Sequence, residues 1–158
     1  MLTKKLLLMS LLSLFLFSAH SLSYAAGSFA VKDMAGKKHN LADYKGKWVI
    51  VNYWATWCPP CLEEVPDLVA LFESRKNKDL VILGVAFDYE SAQEVTDYVN
   101  DMLISYPIVL GDEQVQKQIG FTDVLPTTYI FNPRGELVKT KHGLVTKQYL
   151  DNLLKPTH

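Results

Sequence analysis

The two cysteines of this chain, Cys58 and Cys61, lie three residues apart. They follow an apolar run, Trp48–Trp54, and precede apolar residues at helical spacing: Leu62, Val65, Leu68, Val69 and Phe72. A Cys-x-x-Cys motif between a buried strand and a helix, within alternating strands and helices, indicates a redox-active cysteine pair. A disulfide that closes so short a loop constrains little of the unfolded chain, so a purely structural role is disfavoured.

The first 26 residues are predicted to be an export signal rather than part of the fold. Lys4 and Lys5 form a positive segment, residues 6–17 are apolar except for two serines, and small residues precede Ala26 at the spacing for cleavage. We expect cleavage after Ala25 or Ala26, and an uncleaved membrane anchor is the alternative, although the run is short for a span of about 20 residues. Residues 27–158 then form one domain in the periplasm or at the outer face of the cell envelope, which is an oxidising compartment.

The charge balance argues against nucleic acid as a partner. The chain has 16 basic and 17 acidic residues, with a net charge of −1, and no basic stripe runs along it. Histidines also form no metal-ligand spacing. We interpret His39, His142 and His158 as solvated residues, because the first two lie among lysines and the third is terminal.

The remaining pattern predicts an α/β fold. Buried strands are expected at 48–54 and 80–87. Shorter strands are expected at 29–32 and at 108–110, with another directly after a turn at 34–37. Strands at 128–131 and 137–140 are expected to form a hairpin. Helices are expected after Cys61 to about residue 76 with a kink at Pro66, after a capping box at 91–94, from Asp112 to Gly120, and from Thr146 onward. This order predicts three layers: a mixed, mainly parallel central sheet, helices on both faces and an N-terminal β-hairpin.

The spacing of the cysteines gives each sulfur a separate role. Cys58 is predicted at the N-terminus of a helix, where partial positive charge favours a thiolate, and Cys61 lies one turn inside it. Cys58 is therefore the expected nucleophile, and Cys61 is expected to resolve the mixed disulfide by forming a Cys58–Cys61 disulfide. Pro59 and Pro60 lack N–H groups, and no histidine stands between the cysteines, so the dithiol form gains only moderate stabilisation. This predicts a low reduction potential, hence a reductant.

Two segments resemble the TlpA/ResA/CcmG-type exported thioredoxin-like proteins. They are residues 46–66, GKWVIVNYWATWCPPCLEEVP, and residues 125–135, LPTTYIFNPRG. The resemblance covers essentially the whole chain after the signal and implies a thioredoxin-like three-layer sandwich. It also implies that Pro126 is cis and faces the cysteines, and that the backbone of Leu125 pairs with substrate peptide. Glu64 matches an acidic residue that is thought to assist proton transfer at the resolving thiol; it shares a helix face with Cys61, where burial would raise its pKa. The alternative is an ordinary solvated glutamate like Glu63.

The resemblance further implies a protein-disulfide reductase, with apocytochrome c haem-site thiols as one example of a substrate. It implies a membrane thiol transporter of the DsbD/CcdA type as electron donor, and no cofactor. Trp57 is expected to form an apolar rim that, with Pro59 and Pro60, contacts substrate, while Trp54, Tyr53, Phe87 and Tyr129 are expected in the core. Asp88 and Glu90 are expected to cap the next helix or to flank the active edge.

Three other functions compete with reduction. A disulfide oxidase or isomerase is disfavoured by the absence of histidine between the cysteines. A thiol peroxidase would place threonine three residues before the reactive cysteine, where this chain has Ala55. A copper-delivery chaperone on a thioredoxin-like scaffold would use a wider cysteine spacing and a distant histidine, for which His142 is the candidate.

Overall fold

A computed structural model describes residues 28–155, so the predicted export signal lies outside the described residues. The described residues form seven strands and four α-helices. The strands are β1 (Ala30–Lys32), β2 (Lys38–Asn40), β3 (Trp48–Trp54), β4 (Leu80–Ala86), β5 (Ile108–Leu110), β6 (Thr127–Phe131) and β7 (Leu137–His142). The helices are α1 (Pro59–Arg75), α2 (Ala92–Asp101), α3 (Glu113–Ile119) and α4 (Lys147–Leu153), and a 3-10 turn spans Leu41–Tyr44.

The central sheet has five strands in the order β5-β4-β3-β6-β7. Strand β3 pairs parallel with β4, and β4 pairs parallel with β5, because each pair is joined by a crossover through a helix. On its other side β3 pairs antiparallel with β6, which pairs antiparallel with β7. Strands β1 and β2 form a separate antiparallel hairpin. The predicted mixed sheet with an N-terminal hairpin is confirmed.

Strand β3 is buried along its whole length because both faces of the sheet are covered. Trp48, Ile50 and Trp54 face one core, which is completed by residues of α1, α2 and α4. The alternate residues, represented by Val49 and Tyr53, face a second core with the β1–β2 hairpin and α3. The alternation of side chains along a strand therefore explains why a continuous apolar run was needed here.

The helix N-termini follow the sequence signals. Ser91, Asp112 and Thr146 accept hydrogen bonds from backbone N–H groups in the first turns of α2, α3 and α4, as predicted. At α2, Glu94 N–H donates to Ser91 Oγ, as the predicted capping box requires, and the Glu94 carboxylate accepts from Glu90 N–H, with a smaller contribution from the Ser91 backbone. Of the described helices, none is both long enough and apolar enough to cross a membrane.

Two predicted environments are wrong. His39 is buried, with 1% of its surface exposed, and its ring nitrogens contact Tyr44 Oη and Asp33 Oδ2, the latter at 2.8 Å. Burial opposes ionisation of Asp33, but hydrogen bonds from His39 and the Lys37 backbone hold the pKa of Asp33 below its usual value. Phe87 is half-buried rather than in the core, because β4 ends at Ala86. His142, in contrast, is exposed as expected.

The buried contact of His39 predicts a stability effect. His39→Ala should lower the free energy of unfolding by about 2–4 kcal/mol, because it leaves the buried carboxylate of Asp33 without its partner. Urea unfolding of the disulfide form measures this. His142→Ala is the matched control and should cost about 1 kcal/mol or less. Equal effects of the two substitutions would contradict the assigned role of His39.

Candidate active site

The two cysteines form a disulfide at the junction between β3 and α1. Cys58 is the N-cap of α1, and Pro59 and Pro60 occupy the first two helical positions, where a missing N–H and a fixed φ suit the helix start. The Cα atoms of Cys58 and Cys61 lie 5.3 Å apart. Cys58 is 3% exposed and Cys61 is fully buried, so attack from solvent can reach only the Cys58 side of the pair.

The first turn of α1 directs its N–H groups to a carbonyl rather than to sulfur. Cys61 N–H donates to Cys58 O at 3.0 Å, and Leu62 N–H donates to the same oxygen at 3.2 Å. Within residues 28–155, no helix N–H caps the Cys58 side chain. Stabilisation of a Cys58 thiolate is therefore left mainly to the partial charge of the helix end.

The Leu125–Pro126 peptide bond is cis, as the resemblance implied. Pro126 is buried, and its carbonyl accepts from Gly143 N–H at 2.8 Å. The bond directly precedes β6, which pairs with β3, so this loop lies at the same edge of the sheet as the cysteines. Leu125 is half-buried and lines a groove together with Cys58.

That groove has a volume of about 420 Å³. Its residues are Cys58, Pro59 and Pro60 on the helix, Trp57, Phe87 and Asp88 on one side, and Thr122, Asp123 and Leu125 on the other. Phe87, Thr122 and Asp123 join this surface although no sequence signal marked them. A second hollow, of about 690 Å³, lies between the β1–β2 hairpin and the β6–β7 turn and contains neither cysteine.

Trp57 forms an exposed side of the groove. Its side chain is 58% exposed, in contrast to the buried Trp54 three residues earlier. The indole Nε1–H donates to Asp88 O at 2.9 Å, which fixes the ring against the loop that follows β4. This placement agrees with an apolar rim beside Cys58.

Glu64 is buried one helical turn after Cys61, with 1% of its surface exposed. Oε1 accepts from Asn52 Nδ2 at 2.7 Å, and Oε2 accepts from Val145 N–H at 2.9 Å. Burial raises the pKa of Glu64 to about 7, although these two hydrogen bonds and the charge of Lys141 favour the carboxylate. Glu64 is therefore not a solvated glutamate like its exposed neighbour Glu63.

Asn52 and Val145 are partners of Glu64 that sequence reasoning missed. Asn52 also donates to Thr128 Oγ1 at 3.1 Å, so its amide connects β3 with both α1 and β6. A signal existed for Asn52, because it interrupts an apolar strand and a buried amide needs a partner. No local signal could identify Val145, which contributes only a backbone N–H from a distant loop.

Within residues 28–155, no three His, Cys, Asp or Glu side chains cluster in a way that could hold a metal ion. His142, the candidate for a copper site, places its Nδ1 2.9 Å from Thr127 Oγ1.

The raised pKa of Glu64 predicts how stability changes with pH in the disulfide form. Between pH 4.5 and about 7 the unfolded chain has lost this proton while the folded protein keeps it, so the free energy of unfolding falls as pH rises. The fall amounts to about 3 kcal/mol from this group. Glu64→Gln should remove that slope in denaturant unfolding measured across the interval, and Glu63→Gln should retain it. A difference between wild type and Glu64→Gln that does not change with pH would contradict the assignment.

Comparisons with known proteins agree with the fold and the cysteine pair. Residues 22–140 match the model of the AhpC/TSA family. The thiol-disulfide oxidoreductase ResA of Bacillus subtilis (strain 168) is 33% identical over 134 residues, which cover 83% of this chain and 74% of that protein. The crystal structure of StoA from Bacillus subtilis has a TM-score of 0.71 at 25% identity and covers 84% of this chain and 99% of that one. The exposed lipoprotein thioredoxin of Streptococcus pneumoniae strain TIGR4 has a TM-score of 0.68 at 26% identity, covering 80% of this chain and 97% of that one.

The matched structures agree with the thioredoxin-like fold, and the matched oxidoreductases agree with a Cys-x-x-Cys pair at a strand–helix junction. They extend over more than two thirds of this chain and, for ResA, over about three quarters of the relative. The chain belongs to the AhpC/TSA family and, within it, is a thioredoxin-like thiol-disulfide oxidoreductase of the ResA/CcmG type.

Proposed function

We propose that this oxidoreductase is an exported protein-disulfide reductase. The observation that carries the proposal is the start of α1, where Cys58 is followed by two prolines and the first free N–H groups donate to a carbonyl. The dithiol form gains little from such a helix end, and a weakly stabilised dithiol is a good reductant.

The proposed reaction begins with the reduced protein. The Cys58 thiolate attacks one sulfur of a substrate disulfide; the substrate S–S bond breaks, a mixed disulfide forms, and the departing thiolate takes up a proton. Cys61 then loses its proton and attacks Cys58 Sγ, which forms the Cys58–Cys61 disulfide and releases the second substrate thiol. The substrate gains two electrons and two protons, which a donor dithiol restores to the protein.

Glu64 is the proposed proton acceptor for the Cys61 thiol. It lies one turn from Cys61 in a buried site, and a pKa of about 7 lets it take and return a proton near neutrality. Asn52 and Val145 hold its two oxygens in place. The test is Glu64→Gln: unchanged exchange kinetics and unchanged titration of Cys61 would refute this role.

The groove beside Cys58 is the proposed binding surface for the substrate chain. Trp57, Pro59 and Pro60 offer apolar surface, and the backbone of Leu125 before cis-Pro126 is the proposed pairing edge for an extended peptide. Haem-site thiols of apocytochrome c are one candidate substrate.

Export is proposed from the signal-like first 26 residues and from the relatives, one of which is described as an exposed lipoprotein. A membrane thiol transporter of the DsbD/CcdA type is the proposed electron donor. Such a donor would explain how a dithiol is maintained in an oxidising compartment.

The reduction potential of the Cys58–Cys61 pair tests the direction of the reaction. Equilibration with a defined dithiol buffer should give a value near or below about −270 mV, whereas a value near about −120 mV would mark a donor of disulfides. Pro60→His should raise the potential by tens of millivolts, since about 30 mV corresponds to about 1.4 kcal/mol of added stabilisation of the dithiol. Pro133→Ala, in the turn between β6 and β7, should leave it unchanged.

Single cysteine variants test the order of attack. Cys61→Ser should accumulate a mixed disulfide with a peptide substrate on Cys58, because the resolving thiol is missing. Cys58→Ser should accumulate none, because Cys61 is buried. Mass spectrometry of non-reduced samples measures both, and adduct formation on Cys61 would reverse the assignment.

A further inference from the structure

Two chain segments meet on the Trp57 side of the groove. One is the loop between β3 and Cys58, and the other runs from the end of β4 into the first turn of α2. Phe87 N–H donates to Trp54 O at 2.9 Å, and Trp57 Nε1–H donates to Asp88 O at 2.9 Å. A third contact joins Thr56 Oγ1–H to Glu94 Oε1.

The carboxylate of Glu94 connects the two segments. While Oε1 accepts from Thr56, Oε2 accepts from Glu90 N–H at 2.7 Å. The hydrogen bond from Thr56, followed by that from Glu90, holds the pKa of Glu94 below its usual value, so the group is ionised near neutrality. An ionised carboxylate offers a separate acceptor oxygen to each of these bonds, whereas the amide of glutamine offers one oxygen and one NH₂ donor.

The hydrogen bonds of Glu94 affect the position of Trp57, because few other contacts restrain its side chain. The indole is 58% exposed, so packing restrains only part of the ring. Among residues 28–155, the indole makes one hydrogen bond, to Asp88 O in the loop that Glu94 holds through Glu90. Its backbone is adjacent to Thr56, which Glu94 holds directly. The backbone next to Trp57 and the loop that binds its indole are therefore both held by the carboxylate of Glu94.

We propose that Glu94 is a positioning residue for thiol-disulfide exchange with peptide substrates. Through Thr56 and Glu90 it holds Trp57 beside Cys58, so that the groove is preformed for the peptide chain on either side of a substrate disulfide. Pre-organised contacts of this kind reduce the ordering that binding requires. The proposal rests on thiol-disulfide exchange at Cys58 and applies whether the protein reduces or oxidises its partner.

The competing explanation is that Glu94 only stabilises the start of α2. The structure separates the two roles, because Ser91 Oγ caps the same helix and does not take part in the contact with Thr56. Removal of the cap and removal of the Thr56 contact should therefore have different consequences.

The experiment compares Thr56→Val, Glu94→Gln and Ser91→Ala with the wild-type protein. Stopped-flow exchange is followed at varied concentrations of a peptide disulfide and of hydroxyethyl disulfide, which has no peptide chain to contact Trp57. It is repeated with the oxidised protein and the peptide dithiol. Thr56→Val keeps the shape of threonine without its hydroxyl, and Glu94→Gln leaves one acceptor oxygen where two are used.

Thr56→Val and Glu94→Gln should each raise the half-saturating peptide concentration by roughly fivefold to tenfold, as expected when one large side chain must be ordered on binding. Their rates with hydroxyethyl disulfide should stay within about twofold of wild type. The double variant should be no worse than the more affected single variant, since both act through one contact. Thr56→Ser, which retains the hydroxyl, should behave as wild type.

Ser91→Ala should lower the melting temperature while leaving the half-saturating peptide concentration unchanged. The proposal is overturned if Ser91→Ala reproduces the peptide defect, if Thr56→Val and Glu94→Gln bind peptide as wild type does, or if peptide and hydroxyethyl disulfide are affected equally. The direction of net electron flow, measured by the potential, has no influence on these outcomes.

Discussion

The complete burial of β3 is the constraint on which the rest of the structure depends. All seven residues are buried, and the six apolar ones alternate between two separate cores. Such a strand requires cover on both faces, which α1, α2 and α4 provide on one side and the hairpin and α3 on the other. Because the neighbouring strands β4 and β6 hold β3 in register along its length, the chain leaves the sheet at a fixed point. That point sets the position of Cys58.

Asn52 is the exception within this strand, and it ties the sheet to the chemistry. A buried amide is costly unless it finds partners, and Asn52 finds Glu64 and Thr128. Glu64 in turn accepts from Val145 N–H, so its buried carboxyl is held by two partners, one on β3 and one in the loop before α4. The strand whose end sets the position of Cys58 therefore also supplies Asn52, which holds Glu64 one helical turn after Cys61.

The sequence predicted the parts of this structure that depend on local patterns. Period and run length located β3 and β4, and Ser91, Asp112 and Thr146 marked helix starts because a capping side chain acts on its own first turn. The predictions that failed depend on tertiary contacts. His39 lies beside lysines and so resembles a surface residue, yet Asp33 and Tyr44 converge on its ring once the hairpin forms. Likewise, the spacing from Ser91 to Glu94 predicted a capping box and could not reveal that the carboxylate of Glu94 would meet Thr56.

Two carboxyl groups flank the cysteine loop, and their environments differ in a way that suits different tasks. Glu64 is enclosed, so desolvation outweighs its two hydrogen bonds and its proton becomes exchangeable near neutrality. Glu94 is only half-buried, so hydrogen bonds from Thr56 and Glu90 dominate and keep it ionised. A group that changes protonation near pH 7 makes a poor fixed restraint, because its acceptor capacity changes with pH, whereas a permanently ionised one can hold two donors throughout. The two carboxyl groups thus differ because desolvation dominates at Glu64, whereas hydrogen bonds dominate at the less buried Glu94.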